Sequence, residues 1–117
     1  MIVRGIDASY YTVGNVDRMT AFYSAILGKP TVQMPRIAEW TFADDSTFGL
    51  YEVGGFEGAS SGSVMFAVDD VEEAAREARA AGAEIDEEHG TTNTPTCSMI
   101  FASDPEGNQF ILHKRKT

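Results

Sequence analysis

Apolar and polar positions along this chain follow two periods, and the switch between them occurs twice in the same order. From Ile6 to Val13, β-branched and aromatic residues cluster and predict a first strand. Val16, Met19, Phe22, Tyr23 and Ile26 then recur at helical spacing and form one apolar stripe. Asn15 stands at the N-cap position, and Asp17 lies in the first turn, where the helix dipole favours an acid. Gly28 ends the helix and Pro30 prevents its continuation. Strands are predicted over Thr31–Met34 and Ile37–Ala43, with Asp44–Thr47 as a hairpin loop and Phe48–Val53 as the returning strand.

A glycine- and serine-rich stretch, Gly54 to Gly62, follows and reads as a linker. The order then begins again. Ser63–Val68 predicts a strand, and Asp70 with Glu73 predicts a capping box. Val71, Ala74, Ala75, Ala78 and Ala81 line one helical face, Glu72 is spaced to pair with Arg76, and Gly82 ends the helix. A strand near Ala83–Asp86, a polar loop through Pro95 and a strand over Cys97–Ala102 come next. Asp104-Pro105-Glu106-Gly107-Asn108 then makes a turn, with Pro105 at its first central position. In the last strand Phe110 and Leu112 share one face, and Gln109, Ile111 and His113 share the other. The chain is therefore an internal repeat in which each half reads strand, helix, then three strands. The predicted fold is α+β: two βαβββ modules whose curved mixed sheet surrounds a central cleft, with the helices outside. Residues 1–117 form one domain on this reading, with module 1 over about 4–54, a linker over 55–62 and module 2 over about 63–114.

Composition narrows the function. Hydrophobic content of 43% and charged content of 23% suit an ordinary globular protein. Nine basic against eighteen acidic residues give a net charge of −9, which argues against a nucleic-acid partner. No apolar run is long enough to cross a membrane, and Met1–Gly5 lack a signal-peptide layout, so a cytoplasmic location is expected. The single cysteine, Cys97, leaves no internal disulfide and no cysteine-based zinc site, and a buried, inert thiol is expected there. Gly54, Gly55 and Gly58 match neither the dinucleotide nor the P-loop spacing, so no nucleotide cofactor is expected.

The chain resembles the vicinal oxygen chelate superfamily, which includes glyoxalase I, extradiol dioxygenases and bleomycin- and fosfomycin-resistance proteins. The resemblance rests on Val16-Asp17-x-x-x-Ala21-Phe22-Tyr23-x-x-x-Leu27-Gly28, on Val68-Asp69-Asp70-Val71-Glu72-Glu73-Ala74, on Ala80-Ala81-Gly82 and on Asp104-Pro105-Glu106-Gly107-Asn108. These are helix caps, a core stripe and a turn, so they speak for the fold rather than the activity. The resemblance implies that metal-dependent members place a His, Gln or Glu on the cleft face of the first, fourth, fifth and eighth strands. In this chain those positions fall on Ala8, Gly49, Ser63 and Ile111, none of which is such a ligand. Of the neighbours, Asp7 and Glu52 are expected on the helix side, and His113 lies two residues past the expected place. No divalent metal and no other cofactor is therefore expected.

Alternation assigns Ala8, Tyr10, Trp40, Tyr51, Ser63, Met65, Ile111 and His113 to the cleft face. An aromatic and apolar lining of this kind suits a flat or partly apolar molecule, and Glu39 beside Trp40 could contact a cation. His89 sits in a polar loop and is expected to be solvated, and no catalytic residue is assigned. The expected function is metal-free binding of a small molecule of cationic or aromatic character, like the drug-sequestering branch of the superfamily, whose members pair as homodimers. The alternatives are a glyoxalase-like lyase or isomerase, or a dioxygenase, with displaced ligands, and an interaction or regulatory module with no ligand of its own.

Overall fold

Both helices are stopped and started by the side chains expected to do so. A computed structural model describes residues 1–4, 6–58 and 63–116. Helix α1 spans Val16–Leu27; the Asn15 side chain accepts a hydrogen bond from the Arg18 amide at 2.9 Å, and Gly28 closes the other end with φ of 90°. Helix α2 spans Val71–Ala81; the Asp70 carboxylate accepts from the Glu72 and Glu73 amides, each at 3.0 Å, and Gly82 takes the left-handed conformation. The Glu73 amide hydrogen bond, ahead of the one from Glu72, holds the Asp70 carboxyl below the usual carboxylate range. The expected capping box is only half present. Glu73 turns outward to pair with Arg76 at 2.5 Å, replacing the expected Glu72–Arg76 pair.

The chain divides into two units, Met1–Glu57 and Gly58–Thr117, with the boundary inside the expected linker. Residues 59–62 of that linker lie outside the described residues. The first unit runs β1 (Ala8–Val13), α1, β2 (Val32–Met34), β3 (Ile37–Thr41) and β4 (Thr47–Glu52). Its sheet has the order β1-β4-β3-β2, with β1 parallel to β4 and the remaining pairs antiparallel. The second unit runs β5 (Ser63–Ala67), α2, β6 (Glu84–Ile85), β7 (Thr92–Asn93), β8 (Cys97–Ser103) and β9 (Gln109–Arg115). Its sheet has the order β5-β9-β8-β6, with the short, unexpected β7 also pairing with β8. The first unit is thus a βαβββ arrangement, the second is the same arrangement with β7 added, both sheets are mixed, and the class is α+β.

Register decides which side chains each sheet gives to its helix. In the first unit the partners Ala38 with Leu50 and Trp40 with Phe48 are buried, as are Tyr11 and Val13. They join Met19, Phe22 and Tyr23 of α1 in one core, where Tyr23 and Phe48 rings sit 4.9 Å apart. Trp40 therefore does not line the outward face assigned to it from sequence. It is 2% exposed on the helix side, and its indole N–H donates to the Gly28 carbonyl at 2.8 Å. In the second unit Phe66, Ile100, Ala102, Phe110 and Leu112 are buried with Val71, Ala75 and Ala78 of α2.

The β8–β9 connection is the expected turn, closed by the Gly107 amide donating to the Asp104 carbonyl at 2.8 Å.

Candidate functional site

With one face of each sheet given to its helix, the opposite face carries the remaining candidates. In the first unit, cross-strand partners form three rows on that face: Ala8–Thr47–Thr41, Tyr10–Gly49–Glu39 and Thr12–Tyr51–Ile37. In the second unit the equivalent rows are Ser63–Gln109–Ser103, Met65–Ile111–Phe101 and Ala67–His113–Met99. The repeat is visible in these offsets. Ala8 pairs two residues before Gly49, just as Ser63 pairs two residues before Ile111.

Of the eight sequence-assigned residues, all but Trp40 lie on these two outward faces. Tyr10, Tyr51 and Met65 are exposed there, at 42%, 44% and 53%, and Ser63 is exposed as well. Ala8 and His113 are half-buried, and Ile111 is buried at 6%, so it closes its sheet instead of offering a contact.

Gly49 has a role that sequence reasoning missed. A Cβ built at this position would lie 2.7 Å from Cε2 and Cζ of Tyr10. The tyrosine ring thus reaches from β1 across β4, and a side chain at 49 would have to move it.

The residues present do not fit the divalent metal that the family resemblance implies. Ala8, Gly49 and Ile111 bring no donor atom, and Ser63 brings only a hydroxyl. Among the described residues, no group of three or more His, Cys, Asp or Glu is placed to hold a metal ion. Glu52, the nearest carboxylate in β4, is engaged elsewhere: its Oε1 accepts from the Val16 amide at 3.0 Å and so caps α1. Glu52→Ala is expected to cost about 1 kcal/mol, the usual value of a lost cap. A urea titration checks this, and Glu52→Gln should recover most of the loss, because its amide oxygen can still accept.

Further titratable groups lie in the second unit. His89 is exposed, as expected, and it is also partnered. Its Nδ1 is 2.7 Å from Asp86 Oδ2, its amide donates to Asp86 Oδ1 at 3.1 Å, and its ring stands edge-on to Phe101. The His89 amide hydrogen bond, then the ring hydrogen bond, hold the Asp86 carboxyl below its usual range. Glu84, Asp86, Glu87, Glu88 and Phe101 line a depression of about 330 Å³ that continues onto Gln109. Sequence reasoning treated these acids as strand and loop residues. Their convergence depends on β6 pairing Ile85 with Ala102, a register that no local pattern announces. Cys97 is buried as expected, with its Sγ 3.2 Å from Thr94 Oγ1.

Comparison with known proteins adds the following. The family model described as Glyoxalase/Bleomycin resistance protein/Dioxygenase superfamily matches residues 5–112. A probable lactoylglutathione lyase, chloroplastic, from Arabidopsis thaliana is 29% identical over 119 residues, covering 90% of this chain and 34% of that protein. The chain therefore spans about a third of the length of this curated relative. A glyoxalase/bleomycin resistance protein from Albidiferax ferrireducens T118 has a crystal structure similar at a TM-score of 0.77 and 21% identity, covering 95% of this chain and 98% of that one. The fosfomycin resistance protein FosX from Mesorhizobium loti is similar at a TM-score of 0.71 and 16% identity, covering 97% and 93%. At such identities the two solved structures speak for the fold alone.

Proposed function

The chain belongs to the Glyoxalase/Bleomycin resistance protein/Dioxygenase superfamily, and from that premise we propose that it binds a small molecule without a metal ion, on the outward sheet face of the first unit, which carries Tyr10 and Tyr51. The single observation that carries this reading is the seating of the Tyr10 ring over Gly49. A fourth-strand ligand side chain would have to move the Tyr10 ring, and as it stands that ring offers an exposed aromatic surface. A glyoxalase-like lyase or a dioxygenase would need donor atoms that Ala8, Gly49 and Ile111 do not supply. The bound molecule is aromatic or cationic in character, in keeping with the exposed tyrosines and a net charge of −9. On this reading residues 1–117 act as one domain, in the cytoplasm, and pair as a homodimer, following the drug-sequestering branch that the sequence resembles. No helix among the described residues is long and apolar enough to cross a membrane.

Thermal-shift screening of the full chain, with and without a chelator, tests this reading. At least one aromatic small molecule is expected to stabilise the protein, by about 2.7 kcal/mol at a hundredfold excess over Kd, equally in both conditions. Elemental analysis of protein purified without chelators is expected to find no stoichiometric divalent metal. Such a metal, together with a fall in stability on chelation, would overturn the reading.

A further inference from the structure

The row Tyr10–Gly49–Glu39 differs from its counterpart in the other unit in a way that bears on ligand choice. Both rows lie on outward sheet faces and both cross three strands. Met65–Ile111–Phe101 is wholly apolar and its centre, Ile111, is filled and buried. Tyr10–Gly49–Glu39 has no side chain at its centre, an aromatic ring laid over that gap and a carboxylate at its far end. A Cβ at Gly49 would be 2.7 Å from two ring atoms of Tyr10 and 3.0 Å from a third, so the ring is backed by the β4 main chain. Tyr10 is nonetheless 42% exposed, which leaves ring surface available to a second planar group. Strand spacing puts the Glu39 backbone about 10 Å from that of Tyr10, roughly the length of a fused three-ring system.

We propose that Tyr10, seated over Gly49, takes the place of the fourth-strand metal ligand as the surface a bound molecule meets, and that Glu39 at the other end of the row makes this seat selective for planar cations. The inference rests on the small-molecule reading above and names its ligand class and contacts. Stacking on Tyr10 supplies a cation–π contribution, and the Glu39 carboxylate supplies the opposite charge. Gly49 acts as a positioning residue, since it touches the ring rather than the ligand.

The test titrates the full chain with proflavine, a planar aromatic cation, and with coumarin, a planar neutral molecule, by calorimetry. Proflavine should bind the wild type more tightly than coumarin does. Tyr10→Ala should weaken proflavine about tenfold while Tyr10→Phe stays within about twofold, because the ring face and not the hydroxyl makes the contact. Glu39→Gln should weaken proflavine about fivefold and leave coumarin unchanged. Gly49→Ala should also weaken proflavine, although Tyr10 is chemically intact, because the new methyl displaces the ring. Circular dichroism monitors folding, and if Gly49→Ala fails to fold, the Tyr10 and Glu39 variants still decide. Proflavine binding that changes less than twofold in both Tyr10→Ala and Glu39→Gln overturns this seat and leaves the small-molecule reading standing. A wild type that binds proflavine no better than coumarin overturns the selectivity. A wild type that binds neither these probes nor any member of the wider screen overturns both proposals.

Discussion

Replacing Trp40 with alanine is expected to destabilise the protein by about 3–5 kcal/mol, the range for deleting a fully buried large aromatic. Trp40 is 2% exposed, and its ring lies 6.0 Å from Phe48 and 6.1 Å from Tyr23, so truncation opens a cavity at the centre of the first unit's core. The loss is not only apolar. The indole N–H satisfies the Gly28 carbonyl at the end of α1, tying the helix terminus to β3. Trp40→Phe keeps most of the ring and loses that hydrogen bond, so a smaller cost of about 1–2 kcal/mol is expected. Urea unfolding followed by far-UV circular dichroism measures both. The same experiment decides the face of β3. Were Trp40 on the outward face, Trp40→Ala would leave stability nearly unchanged and would act on ligand binding instead.

That face was the one assignment among the candidate residues that sequence reasoning got wrong, and the reason is one of register. A hairpin loop placed at Asp44–Thr47 pairs Ala43 with Phe48, and continuing that register pairs Trp40 with Tyr51. The observed hairpin closes earlier, with Thr41 opposite Thr47 and the Phe42 amide donating to the Ser46 carbonyl at 2.9 Å. Trp40 then faces Phe48. The two registers differ by an odd number of residues, which turns every side chain of the strand over. Within β3 nothing resists that error, since Ile37, Ala38 and Trp40 put apolar residues on both faces. The first and last strands carry stronger markers. Helix caps at Asn15 and Asp70 anchor the strands before them, and the turn at Pro105 and Gly107 anchors β9, so Tyr10, Met65 and Ile111 were legible.

The site itself was legible as a list of residues and not as a surface. Alternation marks Tyr10 and Gly49 as sharing a face, but only three-dimensional placement shows that one ring occupies the other position. The glycine at 49 and the tyrosine laid over it are therefore one fact rather than two. A side chain at 49 and a tyrosine at 10 compete for the same space, so restoring a donor by Gly49→Glu alone would have to expel the ring. The same linkage explains why β4 can hold a buried glycine in its interior, where glycine is otherwise unfavourable: the Tyr10 ring covers it.

Removing the carboxylate of Asp104 is expected to be the second most costly change, at about 3 kcal/mol for Asp104→Ala. Asp104 is 4% exposed and Asn108 is fully buried, an unusual pair for a hairpin turn. Asp104 Oδ1 accepts from the Glu106 amide at 2.9 Å and the Asn108 amide at 2.8 Å, and Oδ2 accepts from the Asn108 side-chain amide at 2.9 Å. Deleting the acceptor strands buried donors, each worth about 1–3 kcal/mol but not additive within one network. Asn108→Ala removes the side-chain partner and leaves a small cavity, for an expected cost of about 2 kcal/mol. The double variant should cost less than the sum of the two, by about 1 kcal/mol, because either change alone already breaks the shared hydrogen bond. Additive costs in a urea-denaturation cycle would mean that the pair does not act as a unit. The turn matters beyond stability, since it sets Ser103 opposite Gln109 and so fixes the face of Ile111 and His113. Asp104→Ala is therefore also expected to raise amide hydrogen exchange in β8 and β9 well above that in β1 and β4.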